Sequence, residues 1–194
     1  MKKQLFVFLI FLPLAFYNCR NNTTASSGTK KDDAFKTFYP VGSFINSQLI
    51  YIDSMPLAVL KYTTINHVTD TSIVDKKDFK DIAAIFMTPD ISSPELKPQY
   101  EETSFIDATL GTITLTYTAR NEKAVIRKTD ILLNQENTRV KTIYIEKNLP
   151  GTDSTITRKM LWTANRNCQI TTLVQKKNQP KAIILERYVW DDRD

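Results

Sequence analysis

From Ser104 to Trp190, apolar and polar residues alternate with period two, the pattern of strands that bury one face and wet the other. The clearest segment is Thr112–Thr118, where Ile113, Leu115 and Tyr117 alternate with four threonines. Val125–Leu133, Val140–Lys147, Ser154–Thr163, Cys168–Lys176 and Lys181–Trp190 continue the pattern. Short clusters of Asn, Pro, Gly and Asp separate them, which favours antiparallel neighbours in a meander. Gly111 predicts a hairpin turn, or a bulge, between Ser104–Leu110 and Thr112–Thr118. Upstream, Leu57–Thr64 and Val68–Val74 read as two more strands joined across Asn66-His67.

Two stretches switch to helical spacing. In Asp32–Ser54, Val41, Phe44, Ile45, Gln48, Leu49 and Ile52 fall on one stripe, with Pro40 suited to the first turn and Pro56 beyond the end. In Asp75–Met87, Phe79, Ile82, Ile85 and Phe86 form one face. Lys76, Lys77, Lys80 and Asp81 form the other, Asp75 is the N-cap and Pro89 the stop. Pro89–Glu102 holds three of the eight prolines and predicts irregular chain. Together these elements predict an α+β domain: a curved, antiparallel, meander-type sheet of about seven to nine strands with two helices packed on its concave face.

The N-terminus carries a different pattern. Lys2 and Lys3 precede an apolar run, Leu5–Tyr17, interrupted only by Pro13. The run is short for a membrane span, and with its charged start residues 1–18 read as a signal peptide. Ala15-Phe16-Tyr17-Asn18-Cys19 then sets a cysteine where cleavage falls. This arrangement resembles the lipobox of bacterial lipoproteins, in the looser form found in small Bacteroidota lipoproteins of unknown function. Phe16 and Asn18 stand where the stricter pattern has a small aliphatic residue and Gly, Ala or Ser. The resemblance implies that Cys19 carries the acyl chains and holds the protein in the cell envelope, with the periplasmic face of the outer membrane as the expected location. Two or three chains anchor firmly where one binds only marginally. Residues 19–33 contain almost nothing apolar to bury and read as a flexible tether to one domain over 34–194.

Composition removes several classes. The formal charge is +5, of which Lys2 and Lys3 would leave with the signal peptide, and the other basic residues alternate with acids. Nucleic-acid binding wants a clustered basic face instead. The four glycines stand singly, so neither a P-loop nor a dinucleotide fingerprint can form, and no cofactor is expected. The single histidine, His67, lies in a turn, without a second imidazole for a zinc site or a Gly-x-Ser-x-Gly elbow to serve, and no metal is expected. Cys168 has no cysteine partner once Cys19 is acylated, and reads as a small residue near a strand start. Asp70, Asp75, Asp78, Asp81, Glu101, Glu102 and Asp107 leave open a hydrolase built on two carboxylates, which ranks last because its usual helpers are missing.

Two readings rank higher. One is a non-enzymatic, membrane-tethered binding or accessory module that engages envelope proteins through its sheet edge or helical face. The other is a carrier of an apolar ligand or lipid, similar in outline to the lipoprotein-localisation carriers. Phe79, Ile82 and Phe86, with the late-strand Trp162 and Trp190, are the candidate contact residues. A carrier would leave its concave face unfilled, whereas a binding module would fill it.

Overall fold

The computed structural model describes residues 38–151 and 153–193. The signal peptide, the tether, Cys19 and the first residues of the expected Asp32–Ser54 helix lie outside them. Helix α1 runs Val41–Ser54 and buries Val41, Ile45, Gln48 and Ile52, a repeat of three to four residues. Pro40 stands at the N-cap, one position before the expected first turn, and its carbonyl accepts from Phe44 N. Helix α2 runs Lys76–Met87 and buries Phe79, Ala83 and Phe86. Asp75 caps it, accepting from Lys77 N at 3.0 Å.

Among the described residues nine strands form one antiparallel sheet: β1 (Val59–Ile65), β2 (Val68–Val74), β3 (Tyr100–Asp107), β4 (Thr112–Ala119), β5 (Ile126–Asn134), β6 (Val140–Pro150), β7 (Ser154–Thr163), β8 (Asn167–Lys176) and β9 (Ala182–Val189). Strands β3 to β9 follow each other as a meander. The β1–β2 hairpin adds to its far side, with β1 beside β9, so β2 and β3 are the two edges. The hairpins close with residues in the left-handed region, Asn66 and His67 (φ 49° and 68°), Gly111, Asn165 and Asn178. Gly111 therefore marks a turn, not a bulge. Strand β3 starts at Tyr100, inside the stretch expected to be irregular, because Glu101 and Glu102 pair with Thr118 and Tyr117.

Both helices pack on one face of the sheet, which is curved. A single row of cross-strand partners runs across it: Tyr188, Cys168, Trp162, Ile143, Ile131 and Leu115. All six are buried. Their neighbours Ile170, Met160, Ile145 and Tyr117 lie two residues along on the same face and are buried as well. The opposite face carries neither α1 nor α2 and is mixed but mostly polar; its matching row reads Thr116, Asp130, Tyr144, Leu161, Gln169 and Arg187. The α1 stripe and the α2 face thus share one core with the sheet.

Candidate functional site

Under α2 aromatic side chains pack against one another. Phe79 sits 6.0 Å from Trp162, 5.7 Å from Tyr188 and 5.6 Å from Trp190, centroid to centroid. Phe86 meets Trp162 edge-on at 5.1 Å, and the two tryptophans lie 5.1 Å apart. Four of the five candidate contact residues, Phe79, Phe86, Trp162 and Trp190, are therefore buried against one another, and only Ile82 keeps partial exposure. Beside them lies a cavity of about 10 Å³, room for one water, lined by Val41, Phe86, Ile91, Ile126, Thr129 and Ile145 among others. Tyr144 lies on the opposite face, its hydroxyl donating to Glu146 at 3.0 Å. Burial first, then that hydrogen bond, pushes its pKa up to about 12.

Polar anchors hold the helices over this cluster. Gln48 of α1 accepts from Asn165 N at 2.7 Å and donates to Asn165 Oδ1 at 3.0 Å. Its oxygen also takes the indole N–H of Trp162 at 3.5 Å. Neither helix has a basic residue in its own last turn. Instead Lys76 donates to the carbonyls of Asp53 and Met55 at the end of α1. Lys147 of β6 donates to those of Ile85 and Thr88 at the end of α2. A cation at a helix C-terminus meets the negative end of the dipole. At the margin of the cluster Lys61 lies 2.6 Å from Glu186 and 5.5 Å over the Tyr188 ring.

The residues weighed for catalysis stand apart. His67 is an exposed turn residue. Cys168 is 0 % exposed, and burial, with Glu186 nearby, pushes its thiol well up, away from the thiolate a nucleophile needs. Asp75 caps α2, Asp107 accepts from Thr109 N and Leu110 N in the β3–β4 turn, and Glu102 accepts from the Tyr117 hydroxyl at 3.2 Å. Asp70, Asp78, Asp81 and Glu101 are exposed. Among the described residues no three His, Cys, Asp or Glu side chains group as a metal site would, and no helix is long and apolar enough to cross a membrane.

Two open features among the described residues bear on binding. The first is the β2 edge. Every residue of β2 except Val74 is exposed, Val68 and Ile73 at 72 % each. Among the described residues the strand pairs with β1 on one side only, without a bulge, and its sole charge is Asp70. Exposed edges are ordinarily blunted by lysine, proline or a bulge, because unpaired N–H and C=O groups recruit another strand. The other edge, β3, carries Glu101, Glu102 and Asp107 along its length. The second feature is the end of the helix-covered face past α2. There Leu149, Ile156 and Val174 are cross-strand partners in one row, and Lys147, Arg158, Thr172 and Ile184 in the next. Apart from Lys147 these side chains are half-buried. Sequence reasoning missed the β2 edge because strand order cannot be read from a single chain. No family model, curated protein or solved structure matches the chain.

Proposed function

We propose that the protein is a lipid-anchored lipoprotein of the cell envelope, held at Cys19 on the periplasmic side of the outer membrane. It acts there as a non-enzymatic binding or accessory module that takes a protein partner by strand addition at β2. The observation that carries this reading is the contrast between a filled face and an open edge. Phe79, Phe86, Trp162 and Trp190 occupy the space a carried ligand would need. Strand β2 keeps seven residues of β-prone sequence with one side unpaired. Strand addition uses main-chain hydrogen bonds for affinity and alternate side chains for selectivity.

The test is a photo-crosslinking residue at Ile73 in the full chain, irradiated in intact envelopes. Defined adducts are expected, and they disappear when Thr71→Pro is added. Adducts that survive the proline would overturn the reading. The anchor is tested separately: Cys19→Ser is expected to release the chain from membranes and abolish labelling by palmitate.

A second reading, a carrier of an apolar or lipid ligand, is favoured by the open end of the same face. Leu149, Ile156, Val174 and Ile184 make an apolar floor. Arg158 stands beside them, half-buried and near Lys147, and supplies the cation an acidic headgroup would meet. Native mass spectrometry of the detergent-free chain decides: a reproducible extra mass lost on denaturation favours the carrier, and the bare chain mass excludes it.

A further inference from the structure

The open edge is self-complementary, and we propose that its occupant is β2 of a second copy of this chain, paired antiparallel about a two-fold axis at Thr71. The inference rests on the reading of β2 as a docking edge. The β1–β2 register is regular over seven pairs, from Val59 with Val74 to Ile65 with Val68. In a hairpin closed by two residues, the pair flanking the turn exchanges both hydrogen bonds, and pairs alternate from there. Val68, Asp70, Ser72 and Val74 therefore bond to β1. Thr69, Thr71 and Ile73 turn their N–H and C=O groups outward. The 2.8 Å contact between the hydroxyls of Thr64 and Thr69 agrees, since pairs that do not exchange hydrogen bonds bring side chains closer.

An added strand must satisfy those outward groups. A register centred on Thr71 satisfies all of them: Thr71 meets the second copy's Thr71, and Thr69 meets its Ile73 in both directions. On the helix-covered face the same register sets Val68 against Val74 and Asp70 against Ser72. Centring on Asp70 would oppose two carboxylates directly, which destabilises a pair. Centring on Ser72 would leave Thr69 without a partner. The sequence Val-Thr-Asp-Thr-Ser-Ile-Val thus pairs with itself, reversed, without opposing like charges: valine on valine at the ends, threonine on isoleucine (both β-branched) next, then aspartate on serine, and threonine on threonine at the centre. Such an interface is isologous and closes at two copies. The acidic β3 edge does not extend it.

The test is disulfide trapping of the full chain in membranes, with Thr69→Cys, Thr71→Cys and Ile73→Cys made singly and the unaltered chain as baseline. Opposed Thr71 positions would lie about 5.5 Å apart between Cα atoms, inside disulfide range. Two copies of Thr69, or of Ile73, would lie about 14 Å apart, outside it. The expected result is a disulfide dimer from Thr71→Cys alone. A second measurement is sedimentation of the full chain in detergent: Thr71→Pro removes only an outward N–H, which an edge strand tolerates. It should lower the mass from dimer to monomer with the circular dichroism unchanged. No dimer from Thr71→Cys, or equal yields from all three variants, overturns the self-pairing. If the Ile73 photo-adducts then still vanish with Thr71→Pro and carry another protein's mass, the edge reading stands. If they persist, that reading falls too.

Discussion

The ammonium of Lys147, on β6, donates to the main-chain carbonyl of Ile85 in the last turn of α2. The reason lies four residues further on: Pro89 has no N–H to return to Ile85. The carbonyl of Thr88 accepts from the same ammonium. Lys147→Met keeps most of the apolar stem and leaves both carbonyls unpaired. We expect a loss of about 1–3 kcal/mol, the cost of stranding buried hydrogen-bonding groups. It should read as a lower urea midpoint with an unchanged slope.

The same lysine predicts a pH signature. Burial first, then the neighbouring Arg158, brings its pKa from 10.5 down to about 8. The folded state therefore binds the proton more weakly than the unfolded chain, and stability rises with pH across that window. The contribution is complete above 10.5 and is lost as pH falls through about 8. Urea titrations of the unaltered chain and Lys147→Met at pH 7, 8, 9 and 10 should show a gap that widens with pH. The raised tyrosines are common to both proteins and cancel. A gap constant from pH 7 to 10 would refute the assignment.

Gln48 and Asn165 join α1 to the β7–β8 turn through two hydrogen bonds. Gln48→Leu removes both and leaves the indole N–H of Trp162 and the backbone N–H of Asn165 unpaired, for an expected loss of about 1–3 kcal/mol. Asn165 has φ of 60°. Asn165→Gly keeps that backbone while losing the side chain, whereas Asn165→Ala adds about 1–2 kcal/mol of left-handed strain. A double-mutant cycle of Gln48→Leu with Asn165→Gly should show coupling above about 0.5 kcal/mol.

Much of this architecture was legible because the sheet has one wet face. The alternation of Ile113, Leu115 and Tyr117 with threonine marks β4, and Asn66-His67 marks a hairpin whose second strand runs Val68–Val74 as expected. Strand β1 begins two residues later than expected, at Val59, and β3 begins earlier, at Tyr100. Charged Glu101 and Glu102 look like loop until Thr118 and Tyr117 are seen opposite them. The placement of β1 beside β9 joins residues more than a hundred positions apart, and local pattern carries no trace of it. Gln48 and Lys147 read as a stripe member and a strand residue. Their anchoring roles exist only once Asn165 and Ile85 are brought to them.

Phe79 contacts Tyr188, Trp162 and Trp190 and is fully buried. Phe79→Ala should cost about 3–5 kcal/mol, a large share of a domain's stability. If the face beneath α2 is a filled core, the vacated space stays apolar and dry, and benzene should bind there and raise the melting temperature of the variant. The unaltered chain, with room for a single water, should show no such rise. A benzene response in the unaltered chain would show that α2 leaves more space than its packing indicates, and would move the weight of evidence toward the carrier.

Cys168 lies in the middle row of the sheet, between Trp162 and Tyr188, and burial holds its thiol well above the usual range. In the native protein it should be inert to a thiol reagent such as dithionitrobenzoate, and react as fast as the chain opens. Strands β7, β8 and β9 cannot separate there without exposing both Trp162 and Tyr188, so the reaction should follow global unfolding, not local fraying. In the fast-reclosing regime the logarithm of its rate should fall in step with stability across Lys147→Met, Gln48→Leu and Phe79→Ala. Because Cys19 shares the chain, the reaction is read in the Cys19→Ser background. Rapid reaction in the folded protein would show that β8 and β9 part on their own. The β8–β9 pairing inside the meander would then be the soft point of the fold.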